Sequence, residues 1–116
     1  MSSKDFHDVI IERLVEKIET DMKEDLSLDF LSKYTGYSVG HLPRLFKSRM
    51  GVPLGKYIRK RRLCHLATEL LDGRMRVIDI AMDYGFSSQQ SFARAFRIEY
   101  GMTPAEYIKN HEQNKV

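Results

Sequence analysis

The sequence predicts an all-α protein of two helix-turn-helix units joined by a long connecting helix, and three observations lead there. The chain nearly repeats itself. A shift of 50 residues lays Asp29 on Asp79, Tyr34 on Tyr84, Ser38 on Ser88 and Arg44 on Arg94. It also lays Phe46 on Phe96, Gly51 on Gly101, Tyr57 on Tyr107 and Ile58 on Ile108. Eight identities between residues 29–58 and 79–108 mark one supersecondary unit used twice. In both copies apolar residues recur at helical spacing between a serine that can cap a helix and a glycine that can stop one. Between the copies, residues 54–71 read as one long helix. The first unit is placed at residues 1–52, the connecting helix at 53–72 and the second unit at 73–116.

Taken in order, Met1–Asp5 is polar and reads as loose. Phe6 to about Lys23 reads as an amphipathic helix with Val9/Ile10, Leu14 and Ile18 as its apolar stripe. Its acidic face is the solvated side, turned away from any nucleic acid. Leu26 and Leu28 pin the connection. Ser27 caps a short helix, Leu28–Thr35, with Phe30, Leu31 and Tyr34 inward. Gly36-Tyr37 is a turn, and Ser38 caps a third helix over about Val39–Met50 with Leu42, Leu45 and Phe46 inward. Pro43 falls at its fifth position, where the ring removes a hydrogen bond and strains the turn. This helix is therefore expected to begin late or to bend near its amino end.

Gly51 closes that helix, and Pro53 suits the opening of the next. Along the connecting helix Tyr57, Ile58, Arg61, Ala67, Leu70 and Leu71 trace the stripe. Arg61 shares this apolar side and is expected in an internal ion pair with Asp79 or Asp83. Asp72-Gly73 is a turn. Val77, Ile80, Ala81 and Tyr84 form the inward face of the following helix. Gly85 and Phe86 turn the chain, Ser88 caps, and a helix runs to Tyr100 with Phe92, Ala95 and Phe96 inward before Gly101 ends it. Thr103-Pro104-Ala105-Glu106 is a capping box with proline at the first helical position. It opens a closing helix to about Asn110, with Tyr107 and Ile108 packing back. His111–Val116 is a polar tail with no assigned role.

The outward rows carry the chemistry. In the second unit Gln90, Arg94 and Arg97 fall together opposite the apolar face. Glutamine pairs with adenine and arginine with guanine in the major groove, each through two parallel hydrogen bonds. Gln89, Gln90, Ser91 and Arg94 are the candidate base readers here, and Arg44 is the candidate in the first unit. The plain alternative is a solvated helix face; for Ser91 it is a helix-start residue, and for Gln89 contact depends on tilt. In the first unit the row reads Gly40, Arg44, Lys47, so the position matching Gln90 offers no side chain. Lys47, Arg59, Arg97 and Thr103 are the candidate contacts to the DNA backbone. The amides at Thr103–Glu106 and at Gly51-Val52-Pro53 are further candidates for a phosphate.

Charge is unevenly distributed. Residues 1–35 hold nine acids and five bases, residues 36–76 hold ten bases against Glu69 and Asp72, and the remainder is close to neutral. A basic middle behind an acidic amino end can present one face to phosphates. A helical adaptor whose basic face binds an acidic protein is the rival reading. The chain has no apolar run long enough to span a bilayer and no signal peptide, so no membrane partner is expected. The single cysteine, Cys64, is read as small helix packing and fits a reducing cytoplasm. His7, His41, His65 and His111 show no metal-ligand spacing, so no metal or cofactor is expected. No paired carboxylates or nucleophile–base set suggest catalysis, and no catalytic residue is assigned.

These residues resemble the AraC/XylS family of bacterial transcription regulators. Tyr57-Ile58-Arg59-Lys60-Arg61-Arg62-Leu63 is similar to the start of the family's connecting helix. Its signature looks like Ile80-Ala81, Tyr84-Gly85-Phe86, Ser88, Phe92, Arg94, Phe96-Arg97, Gly101, Thr103-Pro104 and Tyr107. Ser88-Gln89-Gln90-Ser91 is similar to the stand-alone MarA/SoxS/Rob group of stress and drug-resistance activators. The resemblance implies binding of duplex DNA as a monomer through two recognition helices in successive major grooves. It also implies transcription activation through contact with RNA polymerase, in the cytoplasm and on the nucleoid when bound. Control would come from the amount of protein, since no second domain for an effector is seen. Stand-alone members usually carry a bulky contact residue at the position of Gly40, a departure that bears on base reading by the first unit.

Overall fold

The computed structural model describes residues 5–113, and all regular secondary structure among them is helical. The helices are α1 (Phe6–Thr20), α2 (Leu28–Thr35), α3 (Leu42–Met50), α4 (Leu54–Asp72), α5 (Val77–Asp83), α6 (Gln89–Tyr100) and α7 (Pro104–Gln113). The loose start expected at Met1–Asp5 lies outside the described residues apart from Asp5, as does the tail from residue 114 onward. The chain divides into two compact units that part between Arg61 and Arg62, inside α4. No described helix is long and apolar enough to cross a membrane.

In the first unit α1 opens at Asp5, whose carboxylate accepts from the Asp8 amide at 2.9 Å. It stops at Thr20 rather than Lys23, with Asp21 outside helical geometry and its carboxylate on the Lys17 ammonium. Ile11, Leu14 and Ile18 are the buried residues, where Val9/Ile10 were expected. At 100° per residue Ile11 points closer to the Leu14–Ile18 direction than either neighbour does. Ser27 caps α2 as expected, accepting from the Phe30 amide at 3.2 Å.

Of the three residues expected inward on α2, only Leu31 is buried. Phe30 and Tyr34 are 37% and 48% exposed, and their rings stack at 6.4 Å. The Lys17 ammonium lies 5.5 and 5.4 Å from the two ring centres, so a cation and a ring neighbour replace core contact. Leu26 is buried, while Leu28 stays at the surface.

α3 begins at Leu42, three residues after the expected Val39. Pro43 explains the delay. As the second helical residue its missing N–H breaks no intrahelical bond, which it would do four residues into a helix. Leu42, Leu45 and Phe46 are buried as expected, and Gly51 stops the helix at φ 80°. Leu54 and Ile58 of α4 close this core, with the Tyr57 ring 5.4 Å from Phe46. Arg61 forms the internal ion pair, but with Glu19 of α1, its Nη2 donating to Oε2 at 3.1 Å. The expected partner Asp79 instead takes Arg76, three residues before it, at 3.0 Å.

In the second unit α4 buries Leu63, Leu66, Ala67 and Leu70. At 100° per residue this set falls on the opposite side of the helix from Leu54 and Ile58. The single stripe expected from Tyr57 to Leu71 is therefore two stripes, one for each core. Cys64 lies off the second stripe and is exposed, not packed. Ile80, Ala81 and Tyr84 of α5 are buried, and Val77 is half-buried. α5 packs on α6, whose buried residues are Phe92, Ala95 and Phe96. The Phe96 ring lies 5.7 Å from Phe92, 4.6 Å from Tyr100 and 5.4 Å from Tyr107. α7 runs past the expected Asn110 to Gln113. Its last turn is held by the His111 ring, 4.2 Å from that of Tyr107, and by a 2.9 Å bond to the Tyr107 carbonyl.

Candidate nucleic-acid interface

α6 is built from its cap outward. Tyr84-Gly85-Phe86 turns the chain, with Gly85 at φ 88° and the Phe86 amide donating to the Ala81 carbonyl at 3.1 Å. Only glycine adopts that φ without strain. The Ser88 hydroxyl then accepts from the Ser91 amide at 3.0 Å, so the helix starts at once with Gln89. Burial of Phe92, Ala95 and Phe96 fixes its rotation. Gln89, Gln90, Arg94 and Arg97 are all exposed, and none of their side chains has a hydrogen bond or ion pair to another described residue. Ser91 is half-buried beside the cap. A row of bidentate-capable side chains therefore stands open on a rigid helix.

The matching row on α3 is differently made. Ser38 still accepts from the His41 amide, at 3.0 Å, but it holds the turn before the helix and not the first helical turn. Gly40 lies in that turn, and the Arg44 Nε donates to the Gly40 carbonyl at 3.3 Å. Arg44 and Lys47 are exposed, with no acidic partner among the described residues. Where α6 opens on a glutamine amide, α3 opens on a backbone carbonyl already engaged by its own arginine.

The backbone candidates also separate. Arg59 and Arg97 are exposed, with no acidic partner among the described residues. Thr103 is half-buried; its hydroxyl accepts from the Glu106 amide and donates to the Glu106 carboxylate, both at 3.1 Å. With no N–H on Pro104 and the Glu106 amide capped, the Ala105 amide is the first-turn donor left for a phosphate. Other cations are held by acids. Arg49 reaches Asp5 and Asp8, which keep its guanidinium pKa raised, and Arg76 is raised by Asp79. Asp5 is held below the ordinary carboxylate value chiefly by the Asp8 amide. Burial pushes the Tyr84 phenol up, aided by a hydrogen bond to Glu69, and burial raises Tyr57 as well.

One residue escaped the sequence reading. His41 is exposed at the start of α3 with its ring edge-on to Tyr37 at 5.2 Å. Lys56, which with Arg59, Lys60, Arg61 and Arg62 opens the connecting helix as a candidate for phosphate, is exposed in the first turn of α4 without an acidic partner among the described residues. The 50-residue shift was the available signal for His41, since it lays that residue on Ser91.

The Helix-turn-helix domain family model matches residues 31–110, which spans both candidate rows. The transcriptional activator AarP of Providencia stuartii is 44% identical over 102 residues, covering 88% of this chain and 76% of that protein. The regulatory protein SoxS of Salmonella typhimurium is 43% identical over 101 residues, covering 87% and 94%. A crystal structure of an AraC-type regulator from Chromobacterium violaceum superposes with a TM-score of 0.81 at 30% identity, over 90% of this chain and 94% of that one. The chain belongs to the AraC/XylS family. As an AraC-type protein it is a sequence-specific DNA-binding transcription regulator. The family's signature residues noted above form the α5–α6 turn, the buried face of α6, its glycine stop and the opening of α7.

Proposed function

We propose that this AraC-type chain binds an asymmetric duplex site as a monomer and activates stress or drug-resistance genes. α3 and α6 enter successive major-groove faces, roughly one turn or 34 Å apart. Gln89, Gln90, Ser91 and Arg94 read bases from α6, and Arg44 reads from α3. Lys47, Arg59, Arg97 and the Thr103 turn contact phosphates. The observation that carries this reading is the open row on α6, whose glutamine and arginine side chains have no partner among the described residues.

Activation is supported by the relative AarP, named as a transcriptional activator. It would proceed through contact with RNA polymerase, in the bacterial cytoplasm and on the nucleoid when bound. The monomer reading rests on the unlike rows, Gly40/Arg44 against Gln90/Arg94, which give an exact palindrome no advantage. The test is selection from a random duplex library, followed by stoichiometry on the winning site. One protein on an asymmetric site is expected. Two chains on a symmetric site would overturn the monomer reading. No enrichment, with binding to acidic protein instead, would favour an adaptor.

A further inference from the structure

The first unit holds an open groove of about 490 Å³ that the DNA-reading row does not explain. Its floor is apolar and buried, formed by Leu26, Leu31, Leu54 and Ile58. Its rim is positive. Arg44 and Lys47 line it, and no acid is among the lining residues. Neither cation has an acidic partner among the described residues. The start of α4 adds to this field. Gly55 lines the groove, and no side chain among the described residues accepts from the first-turn amides of that 19-residue helix. Pro53 stands where the second unit has the capping Thr103, and Lys56 stands where it has Glu106. The uncapped end therefore keeps its partial positive charge.

An apolar floor with a few convergent polar groups and this volume is the usual make-up of a small-molecule site. We propose that the groove binds a small apolar carboxylate, its hydrocarbon body over Leu31, Leu54 and Ile58 and its carboxylate on Arg44 and Lys47. A phosphate alone would leave the floor empty, and a neutral hydrocarbon would leave the rim unmatched. An entire partner helix needs a longer groove for its successive anchors. Occupancy uses two cations that the proposed function gives to DNA, so ligand and DNA compete; that consequence rests on the DNA reading. Ligand control then needs no separate effector domain.

The test titrates 1-naphthoate into the methyl-labelled full chain without DNA, beside the neutral 1-naphthalenemethanol. Shifts at the Leu26, Leu31, Leu54 and Ile58 methyls are expected, with the anion preferred by at least about fivefold. Lys47→Gln should remove most of that preference. Leu28→Glu, which sets a carboxylate at the lip, should weaken naphthoate and spare the alcohol. Absent methyl shifts, or equal affinity for the two probes, would overturn the proposal. With a specific duplex present, naphthoate at ten times its own Kd should raise the apparent DNA Kd by up to about tenfold. Methyl shifts with unchanged DNA affinity would keep the groove and overturn Arg44 and Lys47 as DNA contacts.

Discussion

α3 and α6 occupy the same place in the repeat, yet α6 starts at its serine cap and α3 starts three residues late. The inward positions agree: Phe46 and Phe96 are both fully buried, and Gly51 and Gly101 both stop their helices in the left-handed region. The outward and amino-terminal positions do not, with Gly40 against Gln90, His41 against Ser91 and Pro43 against Ala93. The two copies share the scaffold and differ at the reading surface. Since recognition helices read mainly from their amino-terminal turns, the missing turn in α3 removes reading capacity that α6 retains.

The largest effect should come from the paired arginines. Arg94→Ala is expected to cost about 1–3 kcal/mol of discrimination and to relax a single base pair in one half of the site. Arg44→Ala should cost less discrimination, its loss spread over specific and random DNA. Binding of both folded variants to a set with every base pair substituted in turn measures this. If Arg44→Ala flattens its half more, the inequality of the two helices is refuted.

Next come the caps. Ser88→Ala removes the acceptor from the first turn of α6 and should destabilise by about 1 kcal/mol in urea unfolding. Ser38→Ala should do less, because its hydroxyl holds a turn that precedes α3. Equal losses would mean that the late start of α3 has no energetic meaning.

A smaller effect is expected at Gly40, where an added Cβ meets nothing within 4 Å and φ is not positive. Gly40→Ala should stabilise by about 0.4–1 kcal/mol through the unfolded chain. Gly40→Gln should add preference at one base pair of the first half-site. A gain there would show that the side chain alone was missing; no gain would assign the deficit to Pro43.

The smallest effect separates the units by acid. Asp5 in the first unit has a folded pKa below its ordinary 3.8. Its contribution is present above that value and disappears as pH falls through the lowered one. Asp5→Asn should flatten the acid limb of stability below about pH 4, read by unfolding at each pH. An unchanged limb would mean that the α1 cap does not couple to folding.

Most of the fold could be read from sequence because capping serines, stopping glycines and 3.6-residue spacing are local signals. The second unit, where these agree with one another, matched from Val77 to Gly101. The errors arose where partners are distant. Nothing local pairs Arg61 with Glu19, covers Phe30 and Tyr34 with Lys17, or splits the α4 stripe between two cores. Of the candidate site, the exposed row on α6 was legible because its rotation follows from Phe92 and Phe96. Engagement of Arg44 by the Gly40 carbonyl was not, since it depends on where Pro43 lets the helix begin.

The ion pairs of the basic side chains have a thermodynamic consequence. The sequence has 19 lysines and arginines, but Arg49, Arg61, Arg74 and Arg76 already face carboxylates of the same chain. A cation neutralised internally releases no condensed ion when DNA arrives. The ion release expected on binding should therefore follow Arg44, Lys47, Lys56, Arg59, Arg94 and Arg97, which lack such partners among the described residues. With about 0.9 counterions per phosphate neutralised, six such cations give the logarithmic dependence of affinity on salt a slope no steeper than about −5.4. Internal pairing thus leaves the chain less sensitive to ionic strength than its composition implies.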